Sequence, residues 1–85
     1  ARAVAYAGAG ADCLFVPFIL DHGVIAELVA AVAPKPVNVV VHDYDAGIGE
    51  LVRIGVRRCS VGGSLAGRVW TAFDAAAATL KACEP

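Results

Sequence analysis

The stretch that decides the fold is residues 36–41, Pro-Val-Asn-Val-Val-Val, a short run dominated by β-branched residues. β-Branched side chains favour extended backbone, so this run predicts a strand over residues 37–42. Pro34-Lys35-Pro36 ends the element before it, because the residue preceding a proline is pushed away from helical geometry. A polar loop that begins at His42 follows the strand.

Two further apolar runs predict strands over residues 12–18 and 56–61. The first is continuously apolar, as in a strand covered on both faces, and Pro17 ends it because proline cannot donate to a central ladder. Strand starts recur roughly every 20 to 24 residues, close to the minimum for a parallel β–α–β crossover. The fold class is therefore α/β, with three consecutive β–α units.

Helical patterns lie before, between and after the three strands. The predicted helices are residues 2–8, 21–33, 45–54 and 64–82, with Asp21, Asp45 and Ser64 as candidate N-caps. Gly8 and Gly10 mark the end of the first helix. The whole chain, residues 1–85, is predicted to be one unit with right-handed crossovers between its parallel strands. The pattern alone does not separate a barrel, with all helices on one face of the sheet, from a doubly wound sheet, with helices on both faces.

The composition is unusually apolar for so short a chain. Of the 85 residues, 59% are hydrophobic, and a small domain buries proportionately less surface than a large one. Some of these side chains are therefore expected to pack against a second copy or against further polypeptide. The chain also begins at Ala1 and contains no Met, which leads us to expect a partial or processed sequence.

Charge and cysteine patterns exclude several classes of protein. Charged residues, Pro and Gly interrupt every apolar run before the roughly 18 residues that a membrane span needs. The net charge is −1 and the charges are scattered, so no basic surface for nucleic acid is expected. Three widely spaced cysteines, Cys13, Cys59 and Cys83, match neither a zinc site nor a disulfide framework, and they favour a reducing, cytoplasmic location.

Three segments resemble the isocitrate lyase/phosphoenolpyruvate mutase superfamily. Residues 3–17, AVAYAGAGADCLFVP, resemble its RAxAYxEAGADxIFVP segment, and residues 36–39, PVNV, look like its PVNVL strand. Residues 54–66, IGVRRCSVGGSLA, resemble its LGVRRVSVGxxLA turn–strand–turn. The three matches follow the family's order with similar spacing over essentially the whole chain.

The resemblance implies a (β/α)8 barrel of which this chain holds the sixth, seventh and eighth strands. It further implies a Mg²⁺-dependent enzyme that acts on a C–C or C–P bond of a small 2-oxo acid or related carboxylate. The metal ligands of the family lie on earlier strands, so we expect this chain alone to be inactive and to hold no Mg²⁺ ligand. Homo-oligomers that exchange their final helices are also implied.

The resemblance points to one residue that would contact substrate. Asn38 matches a strand-seven asparagine that faces the substrate carboxylate in related lyases; the alternative is a structural amide hydrogen-bonded inside the barrel. Lyases of the family also carry a glutamate near the position of Pro17, and this chain has no glutamate between Asp12 and Asp21. That departure argues against isocitrate or methylisocitrate lyase activity and favours the branch whose strand ends in FVP.

Two loops at the predicted carboxyl ends of strands carry further candidates. His42, Asp43 and Asp45 form a His/carboxylate cluster that is a weak candidate for metal binding or general-base chemistry, against the alternative of a solvated loop. Gly62-Gly63-Ser64 precedes the longest helix and is a candidate anion site for phosphate or carboxylate, against the alternative of a tight turn with a serine cap.

Two hypotheses from other classes stay open beside the enzyme. The chain could be a non-catalytic structural module that self-associates through exposed strand edges, or a phosphate-binding half-barrel of a different family.

Overall fold

A three-stranded parallel sheet forms the centre of the protein in a computed structural model that describes residues 2–42 and 47–83. The strands are β1 (Leu14–Val16), β2 (Val37–Val40) and β3 (Arg58–Ser60), in the order β1-β2-β3. Leu14 pairs with Val37, and Asn38 pairs with Arg58, so the three strands are in direct register. The sheet is parallel with sequential neighbours, as the β–α spacing predicted.

Within the described residues, four helices alternate with these strands. They are α1 (Arg2–Gly8), α2 (His22–Val32), α3 (Ile48–Arg53) and α4 (Ser64–Ala82). The bounds of α1 and α4 coincide with the predicted ranges, whereas α2 is one residue shorter at each end than residues 21–33. No helix within residues 2–42 and 47–83 combines the length and apolar character that a bilayer span requires.

Each strand is shorter than the apolar run that predicted it. β1 covers three residues rather than residues 12–18, because Pro17 lacks an N–H and the ladder with β2 extends only from Leu14 to Val16. β2 ends at Val40, two residues before the predicted end. β3 begins at Arg58 rather than at Val56, whose N–H donates instead to the Leu51 carbonyl at the end of α3.

Local signals at the helix ends were correct at one position and wrong at two. Asp21 is the N-cap of α2 and accepts a hydrogen bond from Val24 N at 3.0 Å. The N-cap of α4 is Gly63, not Ser64, whose hydroxyl donates instead to the Val61 carbonyl. The N-cap of α3 is Gly47 rather than the predicted Asp45, which lies outside the described residues.

The core lies between the sheet and helices α2 and α3. Ile25 of α2 and Leu51 of α3 belong to the same buried cluster as Val37 and Val39 of the central strand. Both helices therefore cover the same face of the sheet, as the resemblance to a barrel implied. Side chains of successive strand residues point to opposite faces, so Asn38 lies on the other side.

We call that other side the open face of the sheet. Strand alternation and register place six residues on it: Cys13, Phe15, Asn38, Val40, Arg58 and Ser60. In a closed barrel the side of the sheet away from the helices is the barrel interior.

Candidate functional site

The carboxyl ends of the three strands lie along one edge of the sheet because all three run parallel. In (β/α)8 barrels this edge carries the chemistry. Here it is formed by the residues that follow Val16, Val40 and Ser60. Val41 N donates to the Ser60 carbonyl at 2.8 Å, which holds the ends of β2 and β3 together.

A cavity of about 230 Å³ opens at this edge, between the start of α2 and the start of α3. Its walls are largely apolar, with Ile25, Val39 and Leu51 at the base. His22 and His42 both line it. The sequence singled out His42, and the position of His22 beside it was not predicted, because nothing in the sequence shows that the first residue of α2 reaches the end of β2.

The predicted cluster of His42, Asp43 and Asp45 is only partly visible. His42 is exposed at the cavity, while Asp43 and Asp45 lie outside the described residues. No group of three His, Cys, Asp or Glu side chains among residues 2–42 and 47–83 is placed to hold a metal ion. The described residues therefore do not fit a Mg²⁺ site.

Asn38 is the one buried polar residue of the described chain, with 4% of its surface exposed. Its Oδ1 accepts a hydrogen bond from the Ser60 hydroxyl at 2.9 Å, across the ladder between β2 and β3. No pattern in the sequence indicated that Ser60 would be its partner. The contact satisfies the amide oxygen, and a substrate contact of Asn38 stays a prediction.

A second polar contact crosses the open face nearer its amino-terminal edge. The Arg58 guanidinium lies 3.7 Å from Cys13 Sγ and so spans from β3 to the residue before β1. Arg58 and Asn38 are register partners. The side of the sheet away from the helices thus carries polar groups, as expected for a surface that meets solvent or ligand rather than a hydrocarbon core.

Gly62-Gly63-Ser64 forms the turn between β3 and α4. Gly62 has φ +53°, a left-handed conformation that favours glycine. A Cβ added at Gly62 or Gly63 would meet nothing within 4 Å, so space rather than packing surrounds this turn. Ser64 N donates to the Val61 carbonyl at 2.9 Å, which closes the turn before α4. The predicted turn is present, and anion binding there stays a prediction.

The end of β1 carries no acidic group. Pro17 follows the strand directly, and Phe18 after it is 93% exposed. The resemblance gave a glutamate near this position in lyases, and an exposed apolar side chain stands there instead.

An ion pair between Arg53 and Glu50 lies on helix α3. The Arg53 guanidinium donates two hydrogen bonds to the Glu50 carboxylate, at 2.9 and 2.5 Å. These bonds lower the pKa of Glu50 below its ordinary value, and His22 contributes a smaller effect in the same direction. The pair is on the solvent side of α3, so Glu50 is held as a carboxylate away from the open face.

Comparison with known proteins adds two findings. The sequence profile of the family described as phosphoenolpyruvate phosphomutase matches residues 1–81. The fold also superposes on the crystal structure of a protein from Burkholderia cenocepacia J2315 assigned as a lyase/mutase, with a TM-score of 0.82 and 44% sequence identity. A comparison with curated proteins finds no match.

The superposition covers 94% of this chain but only 29% of the Burkholderia chain. That structure is a barrel, and the three parallel strands with their helices match one part of it. Three β–α units in this order are therefore a segment of a (β/α)8 architecture, as the sequence predicted. With the family profile matched over residues 1–81, the chain belongs to the phosphoenolpyruvate phosphomutase family.

Proposed function

We propose that this chain forms the sixth to eighth strands of an enzyme that acts on a C–C or C–P bond of a small 2-oxo acid or related carboxylate. Membership of the family supports the enzyme class. The observation that supports a substrate-binding role for this segment is that Asn38 is buried on the open face. In the completed barrel this face would be the interior. On this proposal residues 1–85 supply scaffold and part of the substrate-pocket wall.

The chemistry expected of this wall is binding rather than bond cleavage. A substrate carboxylate needs hydrogen-bond donors, which the amide of Asn38 and the backbone N–H groups of Gly62 and Gly63 in the Gly62-Gly63-Ser64 turn would supply, since Ser64 N donates to the Val61 carbonyl. A cation that stabilises an enolate-like charge would be Mg²⁺, which the family resemblance implies. The resemblance implies that its ligands lie on earlier strands of the barrel, and no group of residues within 2–42 and 47–83 fits a metal site. The segment alone would be inactive.

The experiment compares residues 1–85 with the product of the complete coding sequence that contains them, here called the complete gene product. Both are incubated with phosphoenolpyruvate and with a panel of 2-oxo and 2-hydroxy carboxylates, with Mg²⁺ and after chelation. ³¹P NMR detects C–P bond formation, and a coupled assay detects release of 2-oxo acid. Mg²⁺-dependent turnover is expected from the complete gene product alone. Turnover by residues 1–85 would contradict the incomplete site, and no turnover by the complete gene product would contradict the enzyme.

A second proposal concerns self-association and rests on helix α4. None of its residues is buried, and an apolar stripe runs along it: Leu65, Val69, Phe73 and Leu80. Trp70 packs edge-on against Phe73 at 5.8 Å between ring centres, and both rings stay more than 60% exposed. A stripe of this kind favours a protein partner, and a homo-oligomer is the partner we propose.

Light scattering tests this second proposal. The complete gene product should have at least twice the mass of its chain, and Phe73→Asp should lower the mass, whereas Thr71→Asp, off the stripe on the same helix, should not. A monomeric wild-type protein would contradict it.

A further inference from the structure

The hydrogen bond between Ser60 and Asn38 orients a side chain of the proposed substrate-pocket wall. Ser60 is the last residue of β3, and Asn38 is the second residue of β2. Strand alternation puts both on the open face, away from the core formed with α2 and α3. The Ser60 hydroxyl donates to Asn38 Oδ1 at 2.9 Å.

This contact determines which end of the amide is left for a ligand. An asparagine side chain offers one oxygen acceptor and two N–H donors. The Ser60 hydroxyl occupies the oxygen, and no residue within 2–42 and 47–83 accepts a hydrogen bond from the amide nitrogen. The unused half of the side chain is therefore a pure donor.

The amide nitrogen is also accessible, although only 4% of the surface of Asn38 is exposed. Among residues 2–42 and 47–83, every side-chain nitrogen or oxygen that is fully enclosed has a hydrogen-bond partner. The Asn38 nitrogen, having none, must therefore retain accessible surface on the open face. A buried amide whose N–H groups meet no protein acceptor is costly unless something else accepts from them.

We propose that Ser60 is a positioning residue that fixes the Asn38 amide with its N–H groups toward the barrel interior, where they donate to a substrate carboxylate oxygen. This inference rests on the proposed function for the identity of the ligand. Loss of the Ser60 hydroxyl would free the amide to rotate by half a turn and present its oxygen, which repels a carboxylate. Ser60 thus contributes to selectivity for an anionic acceptor without touching the substrate.

The test uses the complete gene product with the variants Ser60→Ala, Ser60→Thr, Asn38→Ala and the double variant Ser60→Ala/Asn38→Ala. Thr71→Ala is the control, since it removes a hydroxyl that donates to the Gly67 carbonyl on the exposed helix α4. Pyruvate is the probe, and its dissociation constant is measured by calorimetry beside the melting temperature. A hydrogen bond to a charged group corresponds to roughly a 10- to 100-fold change in affinity.

Asn38→Ala is expected to weaken pyruvate binding about 10-fold or more, and Ser60→Ala by about 5- to 10-fold, on that same scale. The double variant should bind no more weakly than Asn38→Ala, because Ser60 acts only through the amide. Ser60→Thr, which keeps a hydroxyl, and Thr71→Ala should bind within about twofold of wild type. A Ser60→Ala protein that melts earlier yet binds pyruvate as tightly as wild type would overturn the proposal and leave Ser60 a purely structural residue.

A ligand-free measurement separates failure of this inference from failure of the proposed function. The side-chain amide signal of Asn38, assigned as the one missing in Asn38→Ala, is followed by NMR with ¹⁵N-labelled asparagine. It should shift in Ser60→Ala and be retained in Ser60→Thr; an unchanged signal in Ser60→Ala would overturn the positioning role. If wild type binds no pyruvate while the signal shifts as expected, positioning stands and the carboxylate ligand is overturned.

Discussion

Replacing Gly55 by alanine should destabilise the protein far more than the same change at Gly10. Both glycines have strongly positive φ, +102° at Gly55 and +107° at Gly10, so an alanine at either is strained. They differ in what a side chain would meet: a Cβ at Gly55 would lie 2.9 Å from Val29 Cγ1, while nothing lies within 4 Å at Gly10. The pair therefore separates backbone strain from steric overlap.

The two contributions can be estimated from the structure. A residue held in a sparsely populated backbone conformation costs about 1–3 kcal/mol, which applies to both positions. Carbon atoms prefer separations of about 3.5–4.0 Å, so the contact at Gly55 overlaps by roughly half an ångström or more. Val29 cannot turn away freely, since β-branched side chains in helices have one preferred rotamer. Overpacking of this kind adds about 1–3 kcal/mol at Gly55 alone.

Urea denaturation of the complete gene product, followed by circular dichroism at 25 °C, measures the free energy of unfolding. Gly10→Ala should lower it by about 1–3 kcal/mol and Gly55→Ala by about 2–6 kcal/mol, the sum of the two contributions. Val29 also packs against the core, so the single variant Val29→Ala is the reference for the double variant. In that background Gly55→Ala should cost less by about the steric part, because the Cγ1 atom is gone. Equal losses at the two glycines, or a cost of Gly55→Ala that is unchanged in the Val29→Ala background, would refute the reasoning.

Three further predictions test the core, a helix cap and an ion pair. Ile25→Ala, at 2% exposure, should lower the free energy of unfolding by about 2–5 kcal/mol, whereas Val24→Ala, at 45% exposure on the same helix, should change it by less than about 1 kcal/mol; similar losses would contradict the assigned core. Asp21→Ala removes the acceptor for Val24 N and should cost about 0.5–2 kcal/mol by the same urea assay, while Asp21→Asn, which keeps an acceptor, should cost less. The pKa of Glu50 should lie below its ordinary value by NMR titration and return toward it in Arg53→Gln. The sign follows from linkage: a carboxyl pKa lowered by folding stabilises the protein above the ordinary pKa, and this contribution disappears as the pH falls through the lowered value. A Glu50 pKa unaffected by Arg53→Gln would contradict the pair.

The elements of the fold were largely predictable because local patterns determine them. Apolar runs and helical stripes that follow one another along the chain identified the three strands and four helices of the described residues, and the Asp21 cap followed from residue type alone. Strand ends were less predictable, since a strand continues only where the neighbouring strand supplies backbone hydrogen-bond partners. That is why residues 12–18 yield only Leu14–Val16.

The candidate site was predicted less completely than the fold. Asn38 was identified through the family resemblance, but its partner Ser60 is 22 residues away in the chain, and only the register of β2 against β3 brings the two together. His22 and His42 line one cavity because α2 packs on the sheet, which brings the first residue of α2 to the end of β2. Neither pairing leaves a pattern in the sequence, because no local spacing encodes a contact between two strands or between a strand and a distant helix.

The sequence by itself thus determined the kind and order of the elements, the parallel α/β class and the family, because each depends on residue type, periodicity or motif. Tertiary structure alone decided which atoms of those residues are used. Asn38 could have been a fully satisfied structural amide or a ligand donor on sequence grounds. The 2.9 Å contact from Ser60 engages its oxygen and leaves its nitrogen on the face away from the helices, since hydrogen-bond direction is set by the positions of neighbouring strands.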